Sequence, residues 1–238
     1  MFHLNYFFSS KAVDLVLAIW QGIPAPVIHN LEKAQVLKKI FWHLNVDGVP
    51  GDYFEFGVAH GHSLRAAKLA IESAHSKSLG IHKIERTVYG FDTFESFQSD
   101  SPLDEHVTWN GSAFNVSLEK VSKRFKKASD LKLHKINALD LVIEGKPRSI
   151  SEFQISSEAA VILFDMDLYS PTKAALNWSK QIIKSGTFLI FDEYYSFGGD
   201  PRKGEARALS EFLLENPHMS VRDYSSYGAG GRIFIVHF

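Results

Sequence analysis

The sequence predicts an α/β fold: a mostly parallel, Rossmann-like sheet that finishes in one antiparallel hairpin, with helices ahead of its first strand. Three observations predict it. The apolar stretch Tyr53-Phe54-Glu55-Phe56 runs into two glycines, Gly57 and Gly61, and then into the helical pattern Leu64-Arg65-Ala66-Ala67-Lys68-Leu69-Ala70, so a strand turns tightly into a helix. Two later runs, Ala159–Phe164 and Thr187–Phe191, are continuously apolar, as strands buried on both faces are. The chain closes on two strand-like segments, Ser220–Tyr224 and Arg232–Phe238, whose short Gly-rich connection makes them antiparallel neighbours.

The elements follow in order. Ser10 to Gln21 reads as a helix with Val13, Leu15, Val16, Leu17 and Ile19 apolar, and Asn30 is placed to cap a second helix reaching about Leu44. The prolines of Ile23-Pro24-Ala25-Pro26 make the connection non-helical. After the Gly turn come a strand over Thr87–Phe91, a helix over Ser117–Lys127 and a strand over Leu131–Ile136. Pro171 suits the first turn of a helix reaching Lys184, with Gly186 as its cap, and Lys203 to Leu214 is a helix stopped by Asn216-Pro217. Residues 93–116 are polar and irregular, a length that in a compact domain usually means a lid or binding loop. The whole, 1–238, reads as a single domain in which 1–48 is an N-terminal helical extension.

Composition excludes several classes. A net charge of -1 argues against a general nucleic-acid-binding surface. No apolar run approaches the ~20 residues of a membrane helix, so no membrane partner is expected. The first residues lack the basic region and cleavage site of a signal peptide. The absence of cysteine excludes disulfides, thiolate metal sites and cysteine nucleophiles, and a cytoplasmic setting is the simplest fit. The apolar residues Phe2, Leu4, Tyr6, Phe7 and Phe8 point to an interface and hence to a homo-oligomer.

The chemistry starts at Glu55. Glycines at 57 and 61 let the backbone and a helix N-terminus, at Ser63, approach a ligand closely. A carboxylate beside them would repel a dinucleotide pyrophosphate but suits a cationic amino-acid end, and S-adenosylmethionine (SAM) carries both an ammonium and a sulfonium. Asp92, closing the next strand, can accept two hydrogen bonds from a ribose diol, or else simply form a turn. Asp140, after the third strand, is placed either to contact the adenine amino group or to stand as an exposed loop acid. A parallel series ending in one antiparallel hairpin is unusual for a dinucleotide fold and usual for the class I SAM-dependent methyltransferase fold.

A second constellation lies further on. Phe164-Asp165-Met166-Asp167-Leu168-Tyr169 and Phe191-Asp192-Glu193-Tyr194-Tyr195 close two strands, and if these are adjacent, Asp165, Asp167, Asp192 and Glu193 converge at one rim. Carboxylates so placed repel unless protons or a cation intervene, and an oxygen-only set suits a hard divalent ion, Mg²⁺ first. Capping of a following helix is the alternative, above all for Asp167. His60 and His62 in the cofactor turn, and His106 in the lid, are candidate general bases.

Together these residues resemble the macrocin O-methyltransferase family, SAM- and Mg²⁺-dependent enzymes that methylate sugar hydroxyls of macrolides. The matching pieces stand in the family's order over roughly 45–215: Val49-Pro50-Gly51-Asp52-Tyr53-Phe54-Glu55-Phe56-Gly57-Val58, Phe91-Asp92-Thr93-Phe94-Glu95-Ser96, Val116-Ser117-Leu118-Glu119-Lys120-Val121, Asp165-Met166-Asp167-Leu168-Tyr169-Ser170-Pro171-Thr172 and Gly186-Thr187-Phe188-Leu189-Ile190-Phe191-Asp192-Glu193-Tyr194. The resemblance implies that Glu55 and Asp92 serve SAM and that Asp165, Asp192 and Glu193 bind the metal. Glu193 stands where the family often has Asp, and Ala59-His60-Gly61-His62 where it often has Trp-Arg-Gly-Gly, so the pocket wall differs. The resemblance carries no motif in the lid or the N-terminal helices, and these are the parts expected to choose the acceptor.

The function expected is therefore metal-assisted O-methylation of a small molecule's hydroxyl, a sugar or other diol, with Asp165 or His106 taking the proton. Two rivals stand beside it: a metal-dependent oxygenase resembling the cephalosporin hydroxylase family, against which the all-carboxylate set counts, and a catalytically silent SAM-binding module, which would need no metal cluster.

Overall fold

Apolar runs that end in an acid or a glycine build the sheet. In the computed structural model, which describes residues 10–95, 101–106 and 116–238, seven strands lie side by side. They are β1 (Asp52–Phe56), β2 (Val88–Asp92), β3 (Leu131–Lys135), β4 (Ala159–Phe164), β5 (Phe188–Phe191), β6 (Ser220–Tyr227) and β7 (Gly231–His237), in the order β3-β2-β1-β4-β5-β7-β6. All pair in parallel except β7, which is antiparallel to both β5 and β6. The order reverses between β1 and β4, the place where open α/β sheets leave a crevice. A two-residue hairpin, Val142–Ile143 with Lys146–Pro147, stands apart.

The helices are α1 (Ser10–Gln21), α2 (Ala25–Val46), α3 (His62–Ser73), α4 (Leu118–Arg124), α5 (Tyr169–Ser179) and α6 (Gly204–Glu215). Alternation along the strands feeds two cores. Leu37, Ile40, Phe41 and Leu44 of α2 and Leu64, Ala67 and Ile71 of α3 cluster with Tyr53, Val161 and Ile190. Trp178 of α5 and Leu209 and Phe212 of α6 cluster with Phe54, Phe56, Phe164 and Phe191. Each buried Phe is worth roughly 1.5–3 kcal/mol.

One row of that second core positions the site. Phe91, Phe56, Phe164 and Phe191 are in register across β2, β1, β4 and β5. Their rings follow one another at 4.9, 5.6 and 5.0 Å. The residues after them, Asp92, Gly57, Asp165 and Asp192, therefore emerge together at one rim of the sheet.

Several expectations are corrected. The second helix starts at Ala25 rather than after Asn30, because Pro24 and Pro26 occupy its cap and first turn, where no amide donor is needed. Asn30 sits inside it and donates to the Pro26 carbonyl at 2.8 Å. α5 stops at Ser179, and Gly186 at φ 89° turns the chain into β5 instead of capping a helix. β6 reaches Tyr227, so the last turn is just 228–230. The apolar Phe2, Leu4, Tyr6, Phe7 and Phe8 and much of the 93–116 loop lie outside the described residues. Among the described residues no single helix is long and apolar enough to cross a membrane; α1 and α2, bent by 92°, pass that test as a pair by length and composition alone.

Candidate active site

The rim encloses a cavity of about 580 Å³. Its first wall is the turn after β1. Gly57, at φ 89°, passes so close to the Asp165 carbonyl that a Cβ there would fall inside that oxygen. Gly61, at φ 70°, starts α3 where a Cβ would press on the Phe125 ring. Asp92 knits this turn to the one after β2: its Oδ2 accepts from the Val58 and Ala59 amides at 2.7 and 2.9 Å, and its Oδ1 from Phe94 N at 2.6 Å. Gly57, Ser63, Asp92, His60 and His62 all line the cavity.

Glu55 stands beneath that wall. It is fully buried, its carboxyl accepting from the Tyr53 hydroxyl and the Ser63 hydroxyl at 2.6 Å each. Burial pushes its pKa up to about 8 against the pull of those two bonds. Ser63 thus connects the buried acid to the cavity. Asp140 is exposed on a short turn and borders a second, polar depression with Asn137, Arg148 and Glu152 rather than the main cavity.

The opposite wall holds the acids. β4 and β5 are neighbours, and Asp165, Asp167 and Glu193 bring carboxylate oxygens within 4.8 Å of one another. Asp167, at φ 64°, is no helix cap: α5 has Leu168 at its N-cap and no side-chain cap, and Asp104 accepts from Ser170 N at 3.0 Å. Burial, then the neighbouring carboxylates, raise the pKa values of Asp165, Asp167 and Glu193. Behind them Glu205, fully buried and raised for the same reasons, accepts from Glu193 N at 3.0 Å. Glu193 Oε2 and Glu205 Oε1 are buried with no hydrogen-bond partner among the described residues.

Asp192 is held differently. Lys33 donates from Nζ to its Oδ2 at 2.7 Å and to Asp165 Oδ2 at 2.7 Å. His29 Nε2 bonds both Asp192 oxygens at 3.0 Å, and the Tyr227 hydroxyl bonds Oδ1. Burial would raise Asp192, but His29 and Lys33 outweigh it and hold its carboxyl below the ordinary range. The Ala229 amide donates to His29 Nδ1 at 3.3 Å, which puts the imidazole proton on Nε2. His106 packs its ring edge-on against Phe197, centroids 4.6 Å apart, outside the cavity lining, and burial lowers its pKa.

His29, Lys33 and Tyr227 were not among the expected site residues. One signal for them exists: Lys33 falls on the stripe Val36, Leu37, Ile40, Phe41 and Leu44 that α2 buries, and His29 lies one turn before it.

The profile of the macrocin-O-methyltransferase (TylF) family matches residues 28–212. No curated protein matches the chain by sequence. Among solved structures, the calicheamicin methyltransferase CalS11 superposes with a TM-score of 0.63 at 21% identity, covering 99% of this chain and 97% of that one. The O-methyltransferase NovP gives 0.62 at 18% identity over 86% and 79%. An O-methyltransferase from Bacillus cereus in complex with SAH gives 0.52 at 14% over 97% and 92%. At such identities the likeness is one of fold, the class I methyltransferase sheet with its antiparallel end. The family match begins inside α2, so it takes in His29 and Lys33 as well as every rim residue. With most of its length matched and the fold agreeing, the chain belongs to the macrocin O-methyltransferase family and is an S-adenosylmethionine-dependent O-methyltransferase.

Proposed function

We propose that this enzyme methylates a hydroxyl of a sugar or another diol-bearing small molecule, in natural-product or glycan biosynthesis, with the help of a hard divalent ion, Mg²⁺ first. The observation that carries the reading is the pairing, around one cavity, of a glycine cradle with converging carboxylates: Asp165, Asp167 and Glu193 come together, and Oε2 of Glu193 is buried without a partner among the described residues. Oxygen donors of this kind fit a hard ion. The family resemblance adds Asp192 to Asp165 and Glu193. CalS11, described as a TDP-rhamnose 3'-O-methyltransferase, is a sugar-modifying protein of the same fold. The concave cavity and near-neutral net charge favour a small-molecule acceptor over nucleic acid. We further propose a cytoplasmic homo-oligomer.

In this reading Gly57 lets the backbone approach the cofactor, Ser63 and Glu55 support its amino-acid end, and Asp92 holds the turn against which the ribose lies. SAM, when bound, would supply an electrophilic methyl on a sulfonium, and a divalent ion held by Asp165, Asp192 and Glu193 would lower the pKa of the acceptor hydroxyl. With SAM in the cavity, a lone pair of the acceptor oxygen would form the new O–C bond as the sulfonium C–S bond broke, the pair of the broken bond going to sulfur. Asp165, raised by burial and by Asp192, takes the hydroxyl proton from the cavity wall. Both nitrogens of His29 are engaged, which counts against its serving as the imidazole ligand of an iron oxygenase.

The test is calorimetry and turnover together. SAM should bind in the micromolar range, an order-of-magnitude figure, and NAD hardly at all. With a sugar or catechol acceptor, chelator should stop methyl transfer while SAM binding persists; equal turnover in chelator would remove the ion from the mechanism.

A further inference from the structure

We propose that Tyr195 is the platform on which the acceptor lies, a ring that carries hydroxyls at its edge and turns a flat C–H or aromatic face to the phenol. The inference deepens the O-methylation reading above by naming the residue that selects the acceptor, and it rests on that reading.

The segment after β5 divides its two tyrosines between core and cavity. Tyr194 turns inwards, its ring centroid 5.9 Å from that of Phe191 and 5.3 Å from that of Phe234. Tyr195 lines the cavity instead and is 45% exposed. Exposure alone is ordinary for a tyrosine, but this ring is also held in place. Its amide donates to the Gly230 carbonyl at 3.2 Å, and its carbonyl accepts from Gly199 N at 3.1 Å. The ring meets that of Tyr194 edge to face, 5.3 Å away at 87°. Arg232 of β7, ion-paired with Asp223 of β6, sets its guanidinium 5.7 Å from the Tyr195 centroid. An aromatic surface ordered in advance costs a ligand little entropy on binding.

Its place decides what it meets. Phe56 and Phe91 also line the cavity, but both are buried and offer no open face. Tyr195 stands two residues beyond Glu193, so its Cα lies within about 7 Å of that acid's Cα. That is a span one small ring covers, with hydroxyls at the acids and a face over the phenol. Ala25, Pro26, Ala229 and Gly230 line the cavity too and bring no hydrogen-bonding side chain. The acceptor's face is then recognised by stacking and its edge by the carboxylates. A π face is electron-rich, so polarised C–H groups and aromatic edges are drawn to it. A pyranose with equatorial hydroxyls divides edge from face in this way, and so does a catechol. A linear polyol does not.

Steady-state kinetics of the full-length protein, with SAM, Mg²⁺ and methyl glucoside, catechol or glycerol as acceptor, tests this. Tyr195→Ala and Tyr195→Leu should raise the acceptor KM about tenfold with kcat within about threefold of wild type, because a contact made equally in ground and transition states is lost. Tyr195→Phe and Tyr195→Trp each restore a ring and should hold KM within about threefold. Melting temperature and S-adenosylhomocysteine affinity in calorimetry should not move, which a residue that merely supported the fold would not allow. If the alanine variant does not fold, the leucine variant decides. Turnover of methyl glucoside alone assigns the platform to a pyranose, and turnover of catechol alone to an aromatic diol. An unchanged KM without the ring, a raised KM that neither Phe nor Trp restores, a loss of S-adenosylhomocysteine affinity, or glycerol methylated as well as either ring overturns the inference and leaves the O-methylation reading standing. A wild-type protein that binds S-adenosylhomocysteine yet methylates none of the three overturns the proposed acceptor class and this inference with it.

Discussion

Gly57 and Asp165, just past the ends of neighbouring strands, are in such close backbone contact that the carbonyl of one occupies the space a side chain on the other would need. Gly57 N also donates to the Phe91 carbonyl at 2.9 Å, so this one residue joins the ends of three strands. Its φ of 89° is closed to other residues at low energy. Gly57→Ala should destabilise the fold by about 3 kcal/mol or more and abolish cofactor binding, measured by denaturant unfolding and calorimetry. An alanine variant of wild-type stability would contradict this packing.

Asp92 satisfies three backbone amides at once. Asp92→Ala leaves them without acceptors, at roughly 1–3 kcal/mol for a buried group, and should weaken SAM binding as the turn loosens. Unchanged SAM affinity would take Asp92 out of the cofactor site.

Glu55 should leave a mark on stability against pH. Its folded-state pKa of about 8 lies above the ordinary 4.5, so between these values the folded protein keeps a proton that the unfolded chain has lost. Its contribution is complete below pH 4.5 and is lost as pH rises towards 8. In Glu55→Gln the decline across this window should shrink by on the order of 1–3 kcal/mol. Parallel stability curves for the two proteins would show that Glu55 is ionised when folded.

We propose α1 as the surface of the proposed homo-oligomer. Leu15, Val16, Leu17, Ile19 and Trp20 are each more than half exposed, at 62, 56, 52, 63 and 54%. A dimer in light scattering is expected, and Leu17→Glu with Trp20→Glu should convert it to monomer at unchanged melting temperature. A monomeric wild-type protein would remove the proposed oligomer.

The rim was readable because each strand announces its own end. Phe91-Asp92, Phe164-Asp165 and Phe191-Asp192 pass from core to cavity in one step, and only the adjacency of β4 and β5 had to be supplied by the fold. Lys33 and His29 escaped because their partners lie 132 to 163 residues away and a charged residue on a helix usually faces water. Glu55 was recognised as important but not as buried, since nothing local shows that Tyr53 and Ser63 would enclose its carboxyl. The second helix began early because two prolines that break a helix interior fit its first turn.

The turn of the last hairpin touches the second helix directly. Gly228 N donates to Glu32 Oε2 at 2.5 Å and Ala229 N to His29, about two hundred residues back along the chain. During synthesis α2 leaves the ribosome long before β6 and β7, so its His29 and Lys33 wait without the contacts that will fix them. A nascent chain halted before Ser220 can pair the parallel strands yet has no Tyr227 to seat Asp192 and no turn to seat His29. Acquisition of activity should therefore trail acquisition of the core, and a pulse-labelled chain should become protease-resistant in its centre before it can transfer a methyl group.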